Sequence, residues 1–428
     1  MKLSKLALVA AIAAGIHGGY ASAQEADFGI QQVSHLGGSC DCTEPACGCE
    51  SGLGCDSGCD SGCGSGCGSL FGDCCLGDPW QLFGEHCGWS AGGWTQIGYH
   101  TASLRNFNTR PNEVQLHQAW LYAEKAIDTS NGFDIGGRID YVYGTDAQDT
   151  QAFGTDPTGW DNSWDNGAYG HALPQAYLEA GYGDLSVKIG HFFTIIGWEV
   201  VGAPDNFFYS HAYTMYNSEP FTHTGALATY QLDDDTKLWG GYVLGWDSGF
   251  DDNGDSYLGG ISRGVSEDLT LTYATIMGRF GEARFNGVEK GYMHSLVADY
   301  AVTDNLQYIF QNDILDTEDG TGARARSSFG INQYLIYTLS DCWAVGSRFE
   351  WWNIAKDNGA FGFGPGLDGS ADVYALTTGV NYRPHANVII RPEVRYDWVR
   401  GVDSANAGNL FASGRDEFTF GMDTIFTF

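Results

Sequence analysis

Proline is scarce in this 428-residue sequence, with only 10 residues, and so are basic side chains: 21 Lys and Arg stand against 53 Asp and Glu, for a formal net charge of −32. A chain this acidic repels nucleic acid and anionic lipid surfaces, so a polyanion partner is excluded. Long apolar runs are missing after the first residues, and a membrane-spanning helix needs about 20 apolar positions, which excludes a helical membrane protein. Little proline leaves room for many uninterrupted strands. The pattern G-x-S-x-G occurs at 88–92 and 260–264, but neither occurrence opens a helical pattern, as the strand-to-helix turn of a nucleophile elbow requires. Ser210-His211 and His223 are the only suggestive nucleophile–base material, and adjacent residues on a strand point apart. An outer-membrane hydrolase is therefore the weakest functional reading: no enzyme, no cofactor and no metal are expected. Loop 247–255 is acidic but fails the EF-hand pattern, because counting from Asp251 puts Ser256 at position six and Ser262 at position twelve.

What is present begins with an export leader. Lys2 and Lys5 precede the short apolar core Leu6 to Ile16, and Ala21-Ser22-Ala23 supplies a small-residue cleavage site, so residues 1–23 read as a signal peptide. Residues 24–91 form a Cys/Gly/Ser-rich head. It holds Cys40, Cys42, Cys47, Cys49, Cys55, Cys59, Cys63, Cys67, Cys74, Cys75 and Cys87, eleven of the 12 cysteines. Its centre repeats Cys every fourth residue from Cys55 to Cys67 and has almost no apolar side chain to build a core, so cross-links or a metal must hold it. Export favours disulfides, with a zinc site as the alternative. The twelfth, Cys342, falls in a short turn and is a candidate partner for a head cysteine or for another chain.

From residue 92 to Phe428 the hydrophobic period is two. Phe133, Ile135, Ile139, Tyr141 and Tyr143 alternate with Asp134, Arg138 and Asp140. Val388, Ile390, Val394, Tyr396 and Trp398 alternate with Arg391, Glu393, Arg395 and Asp397. Connections alternate between short (128–131, 183–184, 233–235, 263–268, 303–305, 340–342, 383–386) and long (103–113, 145–173, 194–223, 247–256, 279–291, 316–327, 354–371, 400–415). A soluble sandwich and a membrane barrel share the period, but short turns at one end and long loops at the other are the pattern of an outer-membrane barrel. The expectation is an all-β transmembrane antiparallel barrel of roughly 16 strands. The last strand alternates Phe418, Phe420, Met422 and Phe426, and the terminal Phe428 resembles the signal that marks such proteins for outer-membrane insertion.

The stretches Leu116–Lys125, Ile189-Gly-His-Phe-Phe-Thr-Ile-Ile-Gly-Trp-Glu199, Asn206-Phe-Phe-Tyr-Ser-His211 and Glu219-Pro-Phe-Thr-His-Thr-Gly225 resemble the OmpL-like family of β-barrel porins of planctomycete-type bacteria. The resemblance covers most of the barrel and implies an outer-membrane channel for small hydrophilic solutes or ions. It is silent on the head.

Loop 194–223 is the most informative segment. Phe207, Phe208, Tyr209, Tyr213, Tyr216 and Phe221 are badly placed in water, so the loop is expected to fold into the lumen as a constriction. Its charges are all acidic: Glu199, Asp205 and Glu219. Arg138, Arg348, Glu350, Arg391, Glu393, Arg395 and Asp397 are expected on the pore wall. Two arrangements stay open. One is a basic wall opposite the acidic loop, giving a transverse field and a modest cation preference. The other is a set of self-neutralising cross-strand pairs. The expected partners are outer-membrane lipid, solutes or ions, and copies of the same chain. An envelope-anchoring barrel, cross-linked through its head to other chains, is the alternative function.

Overall fold

The computed structural model describes residues 76–86, 88–103, 107–152, 160–250, 254–281, 288–357, 371–401, 411 and 414–428. The leader and every head cysteine lie outside the described residues. Sixteen long strands follow one another: β1 Trp89–His100, β2 Val114–Lys125, β3 Phe133–Gly144, β4 Tyr169–Tyr182, β5 Leu185–Phe193, β6 Thr222–Asp233, β7 Thr236–Val243, β8 Asp255–Ser266, β9 Leu269–Gly281, β10 Glu289–Thr303, β11 Leu306–Glu318, β12 Arg324–Ser340, β13 Trp343–Asp357, β14 Ala371–His385, β15 Val388–Arg400 and β16 Asp416–Thr427. Each pairs antiparallel with its neighbours, and β16 returns to β1, from Gly421 opposite His100 to Thr427 opposite Trp94. The sheet is thus a closed barrel with no free edge, the condition for a strand protein to sit in hydrocarbon.

The side-chain period decides which face meets what. Ile97, Leu121, Ile135, Ile139, Leu178, Ile189, Leu376 and Phe418 point outward and are exposed, as are two groups of aromatic residues. Phe133, Tyr182, Tyr230, Tyr300 and Tyr337 ring the end with short turns, and Tyr242, Tyr257, Tyr292 and Tyr396 the end with long loops. These are the two girdles that flank a lipid-facing band. The apolar face points out, which settles the choice between sandwich and membrane barrel.

The strand ends differ from expectation at several places, two of them large. The eighth strand, weak in sequence, runs the full span Asp255–Ser266. The expected long loop 316–327 shrinks to 319–323, because β11 and β12 continue past it. Asp319 closes that turn by accepting the amides of Thr321 and Ala323 at 2.9 and 3.0 Å.

Packing inside the barrel is dense toward the long-loop end. Leu258, Ile276, Met293 and Leu315 lie side by side in register on the inward face, with Ile354 beyond Ser328 in the same row, and all five are fully buried. They share one cluster with Tyr213, Trp246, Phe280 and Trp352, so residues from the connections fill this part of the lumen.

Candidate functional site

The connection between β5 and β6 turns into the barrel. Its base is closed by the Thr194 amide on the Phe221 carbonyl at 3.0 Å. Beyond a 3-10 turn at Ala203–Asp205 and a short helix at Tyr213–Ser218, it has no regular structure. Its aromatic residues find the burial the sequence demanded: Phe208, Tyr209 and Tyr213 are each 2–3% exposed. They are seated on the inward side of β11–β16, β1 and β2, the wall across from the strands where the loop begins.

The register explains the fit. One inward row reads Gly346, Gly379, Glu393, Gly421, His100 across β13–β16 and β1. Phe207 lies over Gly346, where a Cβ would come within 2.5 Å of its ring, and Tyr209 lies over Gly421, where a Cβ would come within 2.8 Å of its ring. Only a residue without a side chain lets the loop approach this closely. The next row toward the long-loop end reads Tyr334, Arg348, Thr377, Arg395 and Thr419 across β12–β16, and the one beyond it Glu350, Ala375 and Asp397. The small side chains of Ala375 and Thr377 leave the space that the loop occupies.

An irregular backbone buried inside a barrel must find hydrogen-bond partners somewhere. Here the wall's charges supply them. Arg348 donates to the Ser210 carbonyl at 2.6 Å, Arg391 to the carbonyls of Ala203 and Asn206 at 2.9 and 2.5 Å, and Arg395 to the His211 carbonyl at 3.1 Å. In return Glu393 accepts the amides of Tyr209 and Ser210 at 3.0 and 3.2 Å, and Glu350 accepts that of Tyr213 at 2.8 Å. The same charges pair with one another: Arg348 with Glu350, Arg395 with Glu350 and Asp397, Arg391 with Asp423. Arg138, on β3, pairs with Glu124 and Asp140.

Arg348, Glu350, Arg391, Glu393, Arg395 and Asp397 therefore come together beneath the loop, while Arg138 pairs separately on β3. The loop lies on the basic wall instead of facing it across water, and Arg348, Glu350 and Asp397 have no exposed surface. The self-neutralising arrangement is the one present, because charged side chains on alternate positions are what a buried loop backbone needs.

The three loop acids have three different surroundings. Glu199 accepts Arg348 at 2.7 Å, the Tyr334 hydroxyl at 3.0 Å and the Ala212 amide at 2.9 Å, with the His211 ring at 3.2 Å. Burial opposes its ionisation, but Arg348, His211 and the amide outweigh that and hold the carboxyl at about 2. Asp205 keeps one buried oxygen without a hydrogen bond. Burial raises its carboxyl to about 7 despite the pull of Arg138 and Arg391. Glu219, 3% exposed, accepts the Gln311 side-chain amide at 2.7 Å. Burial and the neighbouring Asp313 carboxylate push it well above the usual range. Ser210 and His211 are loop anchors: the Ser210 hydroxyl accepts Arg348 at 3.1 Å, and the His211 ring faces Glu199.

One anchor has no sequence signal. The Tyr209 hydroxyl meets His117 at 2.7 Å and His100 at 3.2 Å, and the other nitrogen of His117 meets Asp146 at 2.9 Å. These residues sit on separate strands and connections, so only closure of the barrel brings them together.

Away from the loop, β4–β10 keep partly solvent-accessible polar side chains on the inward face toward the short-turn end. Glu179 and Lys188 are opposite one another on β4 and β5, and Lys188 lies over the Tyr177 ring at 4.7 Å. Lys237, Ser262 and Thr272 follow in register on β7–β9, with Asp299 on β10.

Residues 89–428 match the family described as "Putative beta-barrel porin-2, OmpL-like". The chain belongs to that family. It is an outer-membrane porin. The sequence has no match among curated proteins. Among solved structures, a loop-deletion mutant of OmpT from Vibrio cholerae is similar at 11% identity and a TM-score of 0.54, over 79% of this chain and 99% of that one. The anion-selective porin of Comamonas acidovorans is similar at 8% identity and 0.54, over the same shares. OmpT in its trimer form aligns at 9% identity and 0.52, again over 79% of this porin and 99% of that chain. At such identities the likeness is one of fold.

Proposed function

We propose that this porin passes small hydrophilic solutes and ions by passive diffusion, that the loop 194–223 narrows its lumen, and that the uncovered wall sets selectivity. The supporting observation is the direction in which the loop's charged groups point. Glu199 and the arginines of β13–β15 are spent on one another and on the loop backbone, so they have little charge left to offer a passing ion. Lys188, Lys237, Glu179 and Asp299 stand on the uncovered arc. A barrel of this strand number is too wide for side chains alone to fill, which leaves an aqueous path beside the loop. We take residues 1–23 as the export signal, the short turns as periplasmic, and a homo-oligomer as the assembled form. The test is conductance in planar bilayers under asymmetric salt. Stepwise conductance with weak ion selectivity is the expected result, and folded protein that inserts without steps would refute the reading.

A second reading concerns the head. Cys342, in the turn between β12 and β13, is 5% exposed. In the nearby β14–β15 turn, Asn387 holds the Trp80 backbone from both sides at 2.7 and 2.8 Å, and the Ala386 amide reaches the Leu76 carbonyl at 3.0 Å. These contacts support a head strapped to the short-turn rim, with a head cysteine as the partner of Cys342. A free thiol at Cys342 in non-reduced protein, read by mass spectrometry, would remove it.

A further inference from the structure

At the short-turn end of the lumen one arginine stands apart from the others. Arg138, Arg326, Arg348, Arg391 and Arg395, all on the inward face, each hold a carboxylate. Arg383, near the end of β14, follows Tyr382, whose ring stacks on Trp343 outside the barrel, so the Arg383 side chain turns inward. Its backbone amide donates to the Cys342 carbonyl at 2.8 Å. Among the described residues its guanidinium has neither an ion pair nor a hydrogen bond. The charged group that acts on it is a second cation, Arg391, which Asp423 already holds at 2.5 Å. Five N–H donors beside a like charge, in a partly buried place, leave a positive potential that nothing on the wall answers.

The neighbouring side chains lack partners as well. Thr338, Ala344 and Asn381 form one inward row across β12–β14. Asn381 is 8% exposed, and its amide oxygen is buried without a hydrogen bond, as is the Thr338 hydroxyl. Arg383 is the next inward position on β14 after Asn381. Ala344, in the middle of the row, is too small to fill the space between its neighbours, so Thr338, Asn381 and Arg383 border one recess in the wall. The loop bounds its upper side, because Phe207 lies over Gly346, the next inward position on β13. Half a turn of the Asn381 amide puts its NH2 where the orphaned oxygen stands. A guanidinium, an amide and a hydroxyl then all present donors to the recess.

We propose that Arg383, with Asn381 and Thr338, forms a binding site for a small oxyanion of the phosphate type at the short-turn mouth, beside the tip of the inward loop. The site rests on the reading of the barrel as a channel, and it adds a step at which an oxyanion in transit is held. The fork of the guanidinium matches two oxygens of such an anion. A tetrahedral oxyanion has oxygens left for the amide and the hydroxyl, whereas chloride offers a single centre.

The test uses the full-length porin. In detergent micelles, potassium phosphate is titrated calorimetrically against a chloride background of equal ionic strength. One saturable site is expected, lost in R383Q and kept in R263Q, which removes an exposed cation from the outer face at the same end. T338V keeps the side-chain shape, removes one donor, and should weaken phosphate binding about tenfold. In planar bilayers, phosphate should lower the chloride conductance of the wild type as it fills the site, and R383Q should be insensitive. The proposal is overturned if the wild type shows no saturable phosphate binding. It is also overturned if binding survives R383Q or is unmoved by T338V, since the anion then sits elsewhere. If R383Q fails to fold, T338V and the wild-type titration decide. Protein that binds phosphate through Arg383 yet gives no conductance steps would refute the channel and leave the site standing.

Discussion

On β12–β16 the inward charges have lost their water, whereas on β4–β10 several keep it. Both arcs alternate charged and uncharged positions, and both would line a bare lumen. The difference is the loop between β5 and β6, which crosses the barrel and lies on the far wall. Beneath it, each arginine serves as a donor to a loop carbonyl and each glutamate as an acceptor for a loop amide. Opposite it, Lys188 rests on Tyr177 and faces Glu179 across one strand pair. The lesson is that a charge on a lumen wall can be structural or selective, and that the covering backbone decides which.

Deleting residues 203–217 should break the contrast outright. It removes the cover, so single-channel conductance should rise severalfold while the barrel still inserts, and unchanged conductance would show that the loop is not the narrowing. Next in size is R348A. Arg348 answers Glu199, Glu350 and the Ser210 carbonyl, and removing one partner of a buried pair costs about 3–5 kcal/mol. K188A on the uncovered arc should cost only about 0.5–1 kcal/mol, from its contact with Tyr177. Urea unfolding in micelles compares the two, and equal costs would erase the distinction.

Selectivity should show the opposite ranking. K188E with K237E should move the reversal potential toward cations. E199Q should leave it in place, because Glu199 is occupied by Arg348, Tyr334 and the Ala212 amide. A shift with E199Q and none with the lysine changes would restore the loop acids as the filter.

The last contrast is in pH dependence. Burial raises the Asp205 carboxyl to about 7 in the folded state, against 3.8 for the free side chain. The folded protein therefore binds the extra proton between those values, and stability should fall as pH rises from about 4 to 7. Glu199 has the reverse sign: its carboxyl, held near 2, contributes stability above its ordinary value of 4.5 that is lost as pH falls toward 2. D205N should flatten the stability curve between pH 4 and 7, and a slope equal to wild type would assign the titration elsewhere.

The period-two alternation, the alternating link lengths and the terminal Phe-rich strand determined the barrel, its strand number and its lipid face, because each is a local property of the chain. The aromatic excess of 194–223 likewise determined that the loop must bury itself. Sequence could not say on which wall. That depends on inward glycines at 346 and 421, spaced along different strands, which become one row only when register and closure align them. Nor could it join Tyr209 to His100 and His117, or Glu219 to Gln311, since these contacts span roughly a hundred residues and appear only once the loop has crossed the lumen. Arg348 and Lys188 look alike in sequence. One is a buried strut and the other a solvated side chain because burial is a property of what covers a residue, and the cover is set by tertiary structure alone.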